Sequence, residues 1–226
     1  MKASKELAAH SKQAKAESEG TRQDRALSIV EALLLAMVAM LAAWSGYSSA
    51  KWATASRLHL SQASTARTEA SRANLDANTE KNFDGSTFNA WFSAYVANNQ
   101  PAMDLAVKRF RPEFRVAFDA WIATSPATNP DAPPGPTYMP EYKQPLVDEA
   151  NALDAKADAL FAQGAADGGN ADDYVRTTVF LATVLFMVGI SGHFRFKAAR
   201  VGLIVVGSAI LTYAVVLLLQ APKPPG

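Results

Sequence analysis

The sequence predicts an all-α membrane protein, with three transmembrane helices and an extracytoplasmic bundle of four helices. Three observations predict it. Apolar residues gather in residues 26–50, 177–194 and 201–221, stretches of 18 to 25 residues that hold a single charge, Glu31. About 20 apolar residues suffice to cross a hydrocarbon core about 30 Å thick. The 123 residues between the first two spans repeat their apolar positions at helical spacing. Cysteine is absent, which excludes a disulfide framework, thiolate catalysis and cysteine-ligated metals.

Read in order, residues 1–25 form a cytoplasmic basic arm and 26–50 the first span. Residues 51–173 form the outer domain and 174–194 the second span. A cytoplasmic hairpin loop follows at 195–200, then the third span at 201–221 and a tail at 222–226. Ser48 and Ala50 would suit signal-peptide cleavage. The 25 residues before the apolar run, and the length of that run, favour a retained span instead.

Orientation follows from basic residues near the span ends. The arm carries Lys2, Lys5, Lys12, Lys15, Arg22 and Arg25, and the hairpin carries Arg195, Lys197 and Arg200. Residues 51–173 hold 11 Lys/Arg against 16 Asp/Glu. The N-terminus is therefore expected inside and residues 51–173 outside. Trp44, Tyr47 and Trp52 then fall at the outer interface, where amphipathic rings are favoured.

In the outer domain a seam at alternating steps of four and three runs Trp52, Ser56, His59, Ala63, Ala66, Ala70, Ala73, Ala77. That is the spacing of a coiled-coil stripe, and its alanines admit a close partner helix. Asp84-Gly85-Ser86 is expected to break this helix and cap a second one, with Phe88, Trp91, Phe92, Tyr95 and Val96 on one face. Asn99 and Pro101 start a third helix bearing Val107, Phe110, Phe114, Ala117 and Trp121. Residues 125–140 contain six of the twelve prolines and read as an extended surface loop. A fourth helix carries Leu146, Ala150, Leu153, Ala157 and Leu160. It is expected to stop near Gly164, with residues 164–170 as a flexible joint.

Few residues point to chemistry. His10, His59 and His193 fall in three different compartments, and no HExxH, glycine-rich phosphate loop or GxSxG occurs. No enzyme activity, metal or cofactor is expected. Glu31 is the one acid inside a span, and such groups face a partner or a watery cavity. Two readings stand: a pairing with the hairpin, where His193 and Arg195 lie at the same level, or an ion-linked site.

Lys108, Arg111 and Arg115 form a candidate patch for anions or lipid headgroups, against which the acids Asp148, Glu149, Asp154 and Asp158 could pair. Nucleic acid is not expected, since the domain is acidic. Gly189, Gly192, Gly202 and Gly207 allow close helix approach, within one chain or towards a second copy or another membrane protein.

Trp44-Ser45-Gly46-Tyr47, Lys51-Trp52 and the hairpin at 193–200 resemble the pattern of a group of uncharacterised bacterial three-span membrane proteins with a helical extracytoplasmic domain. The resemblance implies the bacterial cytoplasmic (inner) membrane and no particular activity. The outer domain also looks like the helical sensor bundles of bacterial chemoreceptors, but the third span departs from that pattern. The functional expectation is a non-enzymatic interaction, sensing or scaffold module, with membrane lipid and a membrane-protein partner or second copy as its contacts. The alternative is a subunit of an oligomeric channel or ion-coupled complex in which Glu31 side chains ring a pore. With the topology inverted, the chain would look like the proton-driven stator family.

Overall fold

The computed structural model describes residues 2–194 and 196–225, and of residues 2–24 the helical backbone alone, so the side chains of the basic arm other than Arg25 lie outside it, as does Arg195. Every regular element among the described residues is helical. They are α1 (Lys2–Val96), α2 (Gln100–Val107), α3 (Pro112–Ala123), a 3-10 turn (Pro136–Tyr138), α4 (Pro145–Ser191) and α5 (Lys197–Gln220). α1, α4 and α5 are each long and apolar enough to cross a membrane. The chain forms two compact units: Met1–Leu58 with Gln163–Gly226, and His59–Ala162. We call these the span unit and the aromatic unit.

The core of the span unit is Val38 of α1, Leu181, Val184 and Val188 of α4, and Leu211 and Ala214 of α5. Ile29, Leu33, Met37 and Met40 of α1, Phe186 of α4 and Val205 and Leu219 of α5 stay exposed. Wherever such helices lie in lipid, apolar burial contributes little between them, and close packing and hydrogen bonds carry the association.

The sequence supplies both. Ser45 Oγ donates to the Tyr174 carbonyl at 2.9 Å, Ser49 Oγ to Ala171 at 3.1 Å and Ser56 Oγ to Gly164 at 2.7 Å. Acceptor numbers fall as donor numbers rise, so α1 and α4 run antiparallel here. A Cβ added to Gly168 would lie 3.3 Å from Ser56 Oγ, so glycine permits the approach these bonds require. Ser48 Oγ and Trp52 Nε1, one turn apart on α1, are buried without a hydrogen-bond partner.

The aromatic unit has two layers of contact. Ala63, Ala66, Ala70, Ala73 and Ala77 of α1 are buried, as are Ala150 and Ala157 of α4, and Arg67 Nη2 meets Asp158 Oδ1 at 2.6 Å between the two helices. Beyond the alanines, Trp91 of α1 joins Ala106 of α2, Phe110, and Phe114, Phe118 and Trp121 of α3 in one core. Edge-to-face pairs such as Trp91–Phe118, with centroids 4.8 Å apart, recur through it; each such pair contributes about 0.5–1.5 kcal/mol beyond area burial.

Four local readings are corrected. Asp84-Gly85-Ser86 does not break α1, which runs to Val96. The Asp84 carboxylate bonds to Arg111 and Tyr142 and so does not act as a cap. α1 ends instead at Asn98, whose φ of 55° is left-handed, with the Asn99 amide closing on the Ala94 carbonyl. Residues 164–170 are not a flexible joint, because α4 continues through them. Helical glycine costs about 1 kcal/mol against alanine, and at Gly168 the close packing against Ser56 of α1 offsets it.

The third helix is two helices. Pro112 disfavours helical geometry at Arg111, which sits at φ −64°, ψ 150°, so the chain turns between α2 and α3. The hairpin is shorter than residues 195–200, since α5 starts at Lys197 and Arg200 is helical. In place of four comparable helices, the aromatic unit contains lengths of α1 and α4 with two short helices, α2 and α3.

The four glycines separate by surroundings. Gly207 faces α4, where an added Cβ would meet Val188 Cγ2 at 3.2 Å and Val184 Cγ1 at 3.8 Å. Gly192 lies beside Glu31, its Cβ position 3.8 Å from Oε2, and Gly189 and Gly202 face open space. Gly207→Val should therefore lower the thermal midpoint of the purified protein by about 5 °C through overpacking. Gly189→Ala and Gly202→Ala should hold or raise it. Equal losses at all three positions would contradict this assignment of the contact.

Candidate functional site

Two buried carboxylates and one cleft are the features with chemical potential. Glu31 sits on the packed face of α1. Arg200 Nε donates to its Oε1 at 2.7 Å and Arg200 Nη2 to its Oε2 at 2.6 Å, a parallel two-bond fork. Ser191 Oγ of α4 adds a bond to Oε1 at 2.7 Å, and Arg200 Nη2 also reaches Ser28 Oγ at 3.1 Å. The side chains of Glu31 and Arg200 are only 11% and 15% exposed. Three helices thus meet at one neutralised pair.

His193 is exposed in the turn after α4, and its amide bonds to the Ile190 carbonyl. It is not among the described partners of Glu31, and Arg195 lies outside the described residues. The partner that sequence reasoning passed over is Arg200, which falls on the inner face of α5 once Lys197 is seen to begin that helix.

Asp84 is the second carboxylate and is fully buried. Arg111 Nε and Nη2 donate to its two oxygens at 3.0 Å each, and Tyr142 OH donates to Oδ2 at 2.9 Å. Arg111 Nη1 meets Glu80 at 2.7 Å and lies 3.7 Å from Glu113. The bonds to Asp84, with the neighbouring carboxylate charges, hold the Arg111 pKa above its ordinary value despite partial burial. Burial, reinforced by the bond to Asp84 and its charge, pushes Tyr142 up to about 12. The group ties α1, the start of α3 and the segment before α4 together. Asp84 could have been found from its place on the four-and-three seam, seven residues past Ala77 and seven before Trp91.

The candidate basic patch does not hold together. Lys108 ends α2 and Arg111 precedes α3, so they share no helical face. Arg111 is committed to Asp84 and Glu80, and Arg115 pairs with Asp119 at 2.8 Å, one turn along α3. Only Lys108 of the three remains at the surface with no ion pair among the described residues. None of the acids on α4 serves as partner, because Arg111 and Arg115 are satisfied close by.

The cleft lies between the C-terminal part of α1, the end of α3 and the proline loop, and it encloses about 580 Å³. Trp91, Phe92 and Tyr95 come from α1, Trp121 and Ile122 from α3, and the loop contributes residues between Ser125 and Pro134. Trp121 Nε1 donates to the Pro133 carbonyl at 2.7 Å, which straps the loop to α3. Phe92, Tyr95 and Ile122 are 49%, 42% and 40% exposed. The signal for this site was in the spacing: Trp91 and Ala94 continue the packed stripe, so Phe92 and Tyr95 must point elsewhere.

Among the described residues no group of His, Asp and Glu side chains is disposed to hold a metal ion. No family model matches the chain, and neither a curated protein nor a solved structure matches it.

Tyr142 reports on the Asp84 group. Its folded pKa lies above the ordinary tyrosine value of about 10, so its stabilising contribution is complete below about pH 10. It is lost as pH rises through about 12. Ultraviolet titration of the phenolates should show one tyrosine with a midpoint near 12. Asp84→Asn should move that midpoint towards 10 and lower the unfolding free energy by about 3 kcal/mol, by breaking the buried two-bond pair with Arg111. An unchanged titration in Asp84→Asn would contradict the assignment.

Proposed function

We propose that this protein is a non-enzymatic integral protein of the cytoplasmic membrane that acts through its outer helical unit as an interaction and sensing module. The observation that carries the reading is the exposed aromatic cleft of the aromatic unit. Soluble surfaces keep half-exposed rings together mainly where they meet a ligand or partner. The span unit supports a structural role for its helices. Its one described intramembrane carboxylate is bound on both oxygens by Arg200, which favours an anchoring pair over the ion-coupled alternative. In this reading the Glu31–Arg200 pair holds α5 against α1, with the N-terminus inside and the aromatic unit outside.

The test is site-directed labelling, which the absence of cysteine makes direct. Ala155→Cys places a thiol on the exposed face of α4, and Ala198→Cys places one in the first turn of α5. Intact cells, with any outer membrane permeabilised, are treated with a membrane-impermeant maleimide. Labelling at 155 and protection at 198 is expected. The reverse pattern would overturn the orientation and favour the inverted, ion-coupled reading.

A further inference from the structure

We propose that the cleft of the aromatic unit is a binding site for a small, uncharged molecule with a planar ring. This rests on the reading of that unit as a binding module and names the chemistry it receives. The volume, about 580 Å³, is within the range of sites that enclose small molecules.

Charge selects first. The unit carries nine Lys/Arg and thirteen Asp/Glu between residues 59 and 162, yet none of them, and no histidine, lines the cleft. A charged ligand would lose its hydration there and meet no counter-charge. Shape selects next. Trp91 and Tyr95 stack at 5.2 Å with planes 17° apart, and Tyr95 stays 42% exposed. A planar ring entering the cleft extends that stack, in the offset arrangement aromatic faces prefer.

Two hydroxyls, Tyr95 OH and Ser125 Oγ, carry no hydrogen bond among the described residues. They are available to orient one polar group of the ligand. The opposite wall is already in place. The Trp121–Pro133 bond holds the loop, and Asn129 Nδ2 donates to the Thr124 carbonyl at 3.0 Å. Ser125 turns the chain back at φ 55°, a conformation costly for a serine. Its carbonyl accepts from the amides of Thr128 and Asn129 at 3.0 and 2.9 Å. A wall ordered in advance reduces the entropy lost on binding.

The probe is indole, titrated into the full-length protein in lipid nanodiscs with 5-fluorotryptophan at its four tryptophan positions. Trp44→Phe and Trp52→Phe assign the fluorine resonances by elimination. The Trp91 and Trp121 signals should shift saturably, with a Kd on the order of 1 mM for so small a ring, while those of Trp44 and Trp52 do not saturate. Tyr95→Ala should weaken binding about tenfold, and Ile122→Glu should abolish it. Benzoate and benzylamine, charged rings of similar size, should bind at least about tenfold more weakly than indole.

Absence of saturation at Trp91 and Trp121, an unchanged isotherm in Ile122→Glu, or equal binding of benzoate would each overturn the proposal. A neutral gadolinium chelate added to protein carrying 3-fluorotyrosine separates this from the broader reading, because Tyr95 is the exposed tyrosine of the cleft. If the chelate broadens the Tyr95 signal, assigned by its loss in Tyr95→Phe, while indole fails, the ligand class falls and the exposed binding surface stands. If Tyr95 is shielded as well, both readings fall.

Discussion

A single face of α1 is the constraint on which the other contacts depend. Its buried positions step by four and three from Glu31 through Val38, Ser45, Ser48, Ser56, Ala63, Ala66, Ala70, Ala73, Ala77, Asp84, Thr87 and Trp91 to Ala94, with half-buried residues at the intervening steps. A seven-residue repeat keeps one stripe towards a partner only if the helices wind gently about each other. Two buried carboxylates lie on this stripe, and each is met by an arginine fork from another helix or its edge. A misplaced arginine would leave a buried carboxylate unpaired, at a cost of about 3–5 kcal/mol. The pairs therefore fix register: Glu31 with Arg200 for α5 against α1, and Asp84 with Arg111 for α3 against α1.

The two units meet this constraint with different physics. Among helices in lipid, apolar burial scarcely distinguishes packed from separated states. In the membrane setting proposed for it, the span unit relies on serine hydroxyls, glycine clearances and one charged pair. Each interhelical hydrogen bond of this kind contributes only about 0.6 kcal/mol, so several are needed. The aromatic unit has the hydrophobic effect available, and its core is built from large rings clustered beyond the end of the alanine stripe. Its one buried acid is answered by two partners, Arg111 and Tyr142, and Arg111 is itself shared with Glu80.

Periodicity made the long-range plan readable. The three apolar stretches, and the seam from Ser56 to Ala77 with its small residues, need nothing beyond spacing and side-chain size to recognise. Local punctuation misled wherever a tertiary contact outweighed it. Asp-Gly-Ser is a good stop signal in isolation, but the Asp84 carboxylate gains more from Arg111 and Tyr142 than from capping. The glycines of residues 164–170 read as a joint, yet Gly168 is the clearance that lets Ser56 reach the Gly164 carbonyl. Arg200 was hidden by a helix boundary a few residues out of place. Spacing marks Phe92 and Tyr95 as lying off the packed stripe, but the cleft's other wall comes from residues about thirty positions away, which no local pattern encodes.

The central claim is that α1 and α4 pass unbroken through their own stop signals because packing on the α1 stripe holds them. Hydrogen exchange read by mass spectrometry on the full chain in nanodiscs tests this directly, using peptides that cover residues 82–90 and 162–171. The account predicts slow exchange in both, comparable to that of residues 66–77 within the alanine seam. Rapid exchange at 84–88 or 164–170, of the kind seen in exposed loops, would contradict it and restore the segmented helices that local signals suggest.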